Sequence, residues 1–198
     1  RSIAHVYTVP IVRVFVVPCG VHERFKPTVV DELARARLEQ MYGIKTPYIL
    51  DVSRFDPHKN ILNVLEAYAI LVKKGRPEKL VFVGGEHIPD YSTSVCARIR
   101  ELDLEDCVYV VPFIPDEDLP LMYAAAEVFL FPPFSEGFGM PLIEAMASGC
   151  PSVTSNTSSL PEIGQDAALA VDPKSPSSIA DAVERLLTDK CLRQDLIQ

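Results

Sequence analysis

Two acidic residues with seven between them, Glu136 and Glu144, bracket a glycine loop in PPFSEGFGMPLIEAMASGCP, residues 132–151. An apolar run, Val128–Phe131, precedes the stretch and reads as a buried strand. A helical pattern over Met140–Ser148 follows, closed by Gly149 and Pro151. Gly137 and Gly139 let the backbone come close to a ligand. A strand, a glycine loop and a helix start leave free N–H groups at the positive end of a helix, which can hold an anion, typically a phosphate. The second candidate is VSRFDPHKN, residues 52–60, where Arg54 and Lys59 follow a short apolar strand, Tyr48–Val52. Ligands in open α/β sheets bind at the carboxyl ends of strands. Two cations there suit a diphosphate; on spacing alone, two solvated surface charges fit equally well. Glu144 read by itself could equally be an exposed helix residue.

The elements that must position these residues alternate. Two β-like runs, Ile3–Val9 and Arg13–Val17, precede a turn-rich segment, PCGVHERFKP. Thr28 can cap a helix to about Tyr42, with Leu33, Leu38 and Met41 on its apolar side and Gly43 as its stop. Asn60 is placed to cap the helix Ile61–Lys74, in which Ile61, Val64, Leu65, Tyr68, Leu71 and Val72 recur at helical spacing. Then come a strand at Leu80–Val83 ending in two glycines, a helix at about Ser92–Leu102, and a strand at Val108–Val111. A helix capped by Asp116 leads to Val128–Phe131. Strands at Ser152–Thr154 and Ala168–Val171, a short helix between them and an amphipathic helix from Ser177 or Ser178 complete the pattern, with one or two helical turns in 190–198. This alternation predicts an α/β fold: a Rossmann-like parallel six-stranded sheet with helices on both faces and right-handed crossovers. Leu142 stands where a dinucleotide fingerprint needs its third glycine, and no GxxxxGK[ST] occurs, so a nicotinamide enzyme and a P-loop ATPase are disfavoured.

Composition narrows the classes further. A chain of 198 residues, 48% hydrophobic, has enough material for a sizeable core. Its net charge of −8 argues against broad nucleic-acid binding. No apolar run approaches the roughly 18 residues of a membrane helix, and the first residues do not read as a signal peptide. Five scattered cysteines without a CxxC suit reduced thiols of a cytoplasmic protein. Neither they nor the four histidines have metal-ligand spacing, so no metal site and no cofactor is expected.

Several motifs taken together resemble the C-terminal, donor-binding domain of a family 4 (group 1) glycosyltransferase of the GT-B fold. PCGVHERFKP resembles the linker into that domain, with Cys19 where Asn is usual. VSRFDPHKN resembles its basic motif and VFVGGE its second strand and glycine turn. FSEGFGMPLIEAMASGCPSVTS resembles its EX7E region, and SSLPEI and the VDP at 171–173 complete the series over roughly residues 14–190.

The resemblance implies a retaining, metal-independent hexosyltransferase acting on a nucleotide-diphosphate sugar, with GDP-mannose the first choice and UDP- or ADP-glucose close behind. Arg54 and Lys59 would hold the diphosphate, and Glu136 would accept hydrogen bonds from the donor sugar. Gly84, Gly137 and the N–H groups of Phe138, Gly139 and Met140 would line the donor site. Glu144 would bind both ribose hydroxyls, and the base would lie against Val111, Phe113 and Ile114. The same likeness implies a remnant and linker at 1–27, a donor domain at 28–190 and a truncated tail at 191–198. A missing N-terminal domain would then carry the acceptor site, and this chain alone would bind donor weakly and not turn over. A full-length enzyme would be cytoplasmic and could work at the inner face of the membrane. Two alternatives stay open: a non-catalytic nucleotide-sugar binding module, and part of a GT-B sugar-nucleotide 2-epimerase.

Overall fold

The computed structural model describes residues 6–8, 10–15, 17, 19–85 and 87–197. Six strands form one sheet: β1 Tyr48–Arg54, β2 Lys79–Gly85, β3 Val108–Val111, β4 Val128–Phe131, β5 Ser152–Ser155 and β6 Ala168–Val171. All pairings are parallel, in the order β3-β2-β1-β4-β5-β6. The winding runs outward from β1 in one direction and from β4 in the other. The crevice above the carboxyl ends of these two neighbours is where such a sheet accepts a ligand.

The strands read as unbroken apolar runs because both faces are covered. On one face, Ile49, Phe82 and Leu130 pack under α2 (Ile61–Lys73), α3 (Pro89–Glu101) and α7 (Pro176–Thr188). On the other, Leu50, Val81, Phe129 and Phe131 pack under α1 (Glu32–Tyr42), α4 (Leu119–Ala125) and α5 (Met140–Ala147). A short α6 (Leu160–Gly164) and a final α8 (Lys190–Ile197) complete the chain, the latter tied to the body by Arg193 Nη1–Glu127 Oε2 at 2.9 Å. Phe129 is fully buried, so its truncation to Ala should cost about 3–5 kcal/mol.

Several local expectations are corrected. Arg13–Val17 is not a strand among the described residues. Ile11–Arg13 is a single 3-10 turn, and Phe15 and Val17 are exposed with no neighbouring strand to pair with. The run Ile3–Val9 lies largely outside the described residues. Helix α1 is capped by Asp31, whose carboxylate accepts from Ala34 N at 2.8 Å, not by Thr28. Leu38 is the buried residue of α1, whereas Leu33 is 78% exposed and Met41 also faces outward. Helix α4 starts after Asp118 rather than Asp116, and α7 starts after Ser175, whose hydroxyl accepts from Ser178 N. Gly43 does end α1, in the left-handed region at φ 69°.

Asn60 precedes α2 but does not cap it. It is buried and left-handed at φ 66°, and its amide turns sideways. Nδ2 donates to Pro132 O at 2.9 Å and to Pro173 O at 2.7 Å. One side chain thereby clips together the loops after β1, β4 and β6, and the first two carry the charged residues singled out above.

Candidate active site

The β1–α2 and β4–α5 loops meet at backbone level before any charge is considered. Phe134 N donates to His58 O at 2.8 Å, while Phe55 N ties the β1–α2 loop to the end of β2 by donating to Gly85 O at 2.6 Å. Lys59 and Glu136 are thereby brought face to face. Lys59 Nζ donates to Glu136 Oε2 at 2.5 Å and stands 5.0 Å from the centre of the Phe131 ring. The two side chains are only 15% and 18% exposed, so the pair is partly desolvated at the mouth of the crevice. Gly137 N donates to the other carboxylate oxygen, Oε1, at 3.1 Å.

The glycine loop is pinned from below by two serines of SSLPEI. Ser158 Oγ accepts from Glu136 N at 3.2 Å, and Ser159 Oγ donates to the carbonyls of Glu136 and Phe138 at 3.2 and 3.0 Å. Gly139 adopts φ 106°, and a Cβ there would meet Leu160 Cδ2 at 2.6 Å, so only glycine fits. Gly137 has an ordinary φ and open space around it, which leaves room for a ligand rather than serving the fold. Among the described residues, the N–H groups of Phe138, Gly139 and Met140 have no protein partner. Pro141 in the first turn removes a donor that would be orphaned in any case.

Arg54 stands apart from that pair. It is exposed at the end of β1, with Nη2 3.8 Å from Asp56 Oδ2. It lines a cleft of about 230 Å³ with Val52, Gly84, Phe113 and Ile114. Phe113 is 73% exposed there, an unusual position for a large apolar ring and one that offers a face to a planar group. Val111, by contrast, ends β3 with its side chain in the core. Gly84 has φ 116°, and a Cβ would meet Ser53 O at 2.7 Å, so its glycine serves the close approach of β2 to β1. A larger groove, about 540 Å³ along α3 between His87 and Arg100, contains none of these residues.

Glu144 lies one helical turn into α5. Tyr123 Oη donates to its Oε2 at 3.0 Å. Partial burial pushes the Glu144 carboxyl above its ordinary range, and the Tyr123 hydrogen bond works in the opposite direction. The carboxyl-end side of the sheet therefore carries a lysine–glutamate pair and N–H groups unpartnered among the described residues in the loops after β1 and β4, a second carboxylate in α5, and a separate cleft lined by Arg54 and Phe113. Cations and N–H donors suit phosphate oxygens, and carboxylates suit hydroxyl hydrogens.

Two further residues, Tyr123 and Asp51, are not singled out by the sequence reading. Tyr123 gave no signal beyond its place in an apolar helix. Asp51 does give one, being an acid inside the apolar run YILDV. It is fully buried, accepts from Ser53 Oγ, and leaves Oδ2 without a partner among the described residues. Among those residues no helix is long and apolar enough to cross a membrane.

The family model described as glycosyl transferases group 1 matches residues 36–198. The O-antigen chain mannosyltransferase B of Escherichia coli is 36% identical over 148 residues, covering 74% of this chain and 38% of that protein. The sucrose-phosphate synthase of Thermosynechococcus elongatus superposes with a TM-score of 0.77 at 31% identity, over 91% of this chain and 45% of its own. The C-terminal domain of a group 1 glycosyl transferase from Francisella tularensis shares the fold with a TM-score of 0.77 at 24% identity, over 91% of this chain and 93% of its own. The chain thus spans less than half the length of the first two.

Proposed function

The chain belongs to the group 1 glycosyltransferases, and from that premise we propose that it is the donor-binding domain of a retaining, metal-independent family 4 enzyme. Such an enzyme moves a hexose from a nucleotide-diphosphate sugar to an acceptor hydroxyl. The observation that carries the reading is the juxtaposition of Lys59 and Glu136 at 2.5 Å above the ends of β1 and β4. One group suits a diphosphate and the other a sugar hydroxyl, and the bond to be broken joins those two parts of the donor.

Negative charge grows on the diphosphate as that bond breaks. Fixed cations and oriented N–H groups lower the barrier because they need no reorganisation at that moment. Lys59, Arg54 and the N–H groups of Phe138, Gly139 and Met140 are given this task. Meeting that charge with side chains and backbone leaves no step that requires a divalent cation. Glu136 orients the sugar, Glu144 takes the ribose diol, and Phe113 offers its face to the base. The two glutamates are not a glycosidase acid and base.

GDP-mannose is the preferred donor, since the Escherichia coli relative is a mannosyltransferase. The acceptor site is assigned to a second, N-terminal domain, in keeping with the chain's 38% share of that relative. A thermal-shift panel of GDP, UDP and ADP with their mannose and glucose conjugates tests the reading. At a hundred-fold excess over Kd a bound donor stabilises by about 2.7 kcal/mol. No shift with any of them would end the proposal.

A further inference from the structure

Tyr123 is fully buried and its ring is held on two sides. Phe129 of β4 meets it edge-on at 5.3 Å, and Phe25, in the segment ahead of α1, meets it edge-on at 5.9 Å. Its hydroxyl spends its one proton on Glu144 Oε2 at 3.0 Å. Glu144 Oε1 has no protein partner among the described residues. We infer that Tyr123 is a positioning residue for the nucleotide site: it fixes the Glu144 carboxylate through Oε2, leaves Oε1 for a ligand hydroxyl, and ties that geometry to Phe25. The inference rests on the reading of Glu144 as the acceptor of the ribose diol.

The surroundings of Glu144 support this division of labour. Three groups act on it: Tyr123 from α4, Asp116 from the loop before α4, and Arg24 from the segment that carries Phe25. Arg24 and Asp116 lie 3.7 Å apart and offset one another. Burial disfavours the charged carboxylate, so the Tyr123 hydrogen bond is the main local force that keeps it ionised. Tyr123 can serve across the working pH range because burial holds its own ionisation well above the ordinary tyrosine value.

Tyr123→Phe removes the hydroxyl and keeps the ring contacts. Two readouts are taken on the intact chain: the titration of the Glu144 carboxyl by carbon-13 NMR, assigned with Glu144→Gln, and calorimetric titration with GDP and UDP from pH 5 to 8. The carboxyl midpoint should move up in Tyr123→Phe, and nucleotide affinity at pH 7 should fall about five-fold, the size expected for one hydrogen bond of ordinary strength felt indirectly through Glu144. In a Glu144→Gln background the same substitution should cause no further loss. An unchanged midpoint, or affinities within two-fold of the parent at every pH, overturns the inference. Failure of the parent chain to bind either nucleotide would instead sink the donor-binding reading, while the midpoint still decides whether Tyr123 holds the carboxylate.

Discussion

Lys59 Nζ donates to Glu136 Oε2 at 2.5 Å, a direct pairing of the two side chains. The cation assigned to the diphosphate is thus already neutralised by the carboxylate assigned to the sugar. Donor binding must share Lys59 between the two, and the two variants should behave oppositely toward a nucleotide without its sugar. Lys59→Ala should weaken GDP or UDP binding by more than about 1 kcal/mol, the loss of a charge-assisted hydrogen bond. Glu136→Gln should leave that affinity unchanged or raise it, because Lys59 is released, while binding of the complete nucleotide-sugar falls. Calorimetry on the three proteins decides; equal losses of GDP affinity in both variants would mean that Glu136 holds Lys59 in place for the phosphates instead of competing with them for it.

The two glycines of the loop separate a folding requirement from a binding one. Gly139→Ala combines a backbone at φ 106° with a Cβ 2.6 Å from Leu160 Cδ2. It should destabilise the fold by roughly 1–3 kcal/mol in urea melts. Gly137→Ala meets no atom within 4 Å. Its stability should rise by about 0.4–1 kcal/mol or stay level, yet donor affinity should drop because the new methyl occupies the approach to the loop. Unaltered donor affinity in a folded Gly137→Ala protein would remove this loop from the site.

What the sequence made legible follows from burial. Strands β1 to β6 sit between two helix layers, so they read as short apolar runs, and their parallel pairing followed from the alternation with helices, whereas the order β3-β2-β1-β4-β5-β6 came from the structure. Arg54 at the end of β1, Lys59 and Glu136 in the loops after β1 and β4, and Glu144 in α5 stood out as candidates by residue type, spacing and motif. Interactions between distant segments were harder to see. Asp118 would be an ordinary helix cap by local rules, but Arg37 Nη2 and Tyr42 Oη both reach it at 2.5 Å from α1. Asn60 has the right type for a cap, and two prolyl carbonyls claim its amide instead. Leu33 satisfies a helical apolar pattern on the wrong side, because the sheet meets α1 through Leu38. Propensity reports the local backbone; these outcomes were decided by partners tens of residues away.

Asp51 makes stability depend on pH. Burial pushes its carboxyl up to about 7 against the ordinary 3.8, with Ser53 and Lys59 pulling the other way. Between those two values the folded chain binds a proton that the unfolded chain has released. The slope of unfolding free energy with pH is then negative, so this contribution is greatest at acid pH and is lost as pH rises through about 7. Urea midpoints should fall from pH 5 to pH 8 in the parent, and Asp51→Asn should flatten that fall. The same decline in the variant would assign the pH dependence to another group.

Gln165 offers a gain in stability at a distance from the candidate site. It ends α6 at φ 40°, ψ −122°, a combination that suits glycine and strains any residue with a Cβ. Its side chain contributes one exposed hydrogen bond, Nε2 to Glu162 O at 3.1 Å. Replacement by Gly should relieve about 1–3 kcal/mol of backbone strain and cost about 0.5–1 kcal/mol through the freer unfolded chain. The net gain of about 1 kcal/mol corresponds to a Tm roughly 2–4 °C higher for a chain of this size. Gln165→Ala keeps the Cβ and loses the hydrogen bond, so it should show no gain. Calorimetric scans in which Ala and Gly raise Tm equally would trace the effect to the lost side chain and discard backbone strain as its cause.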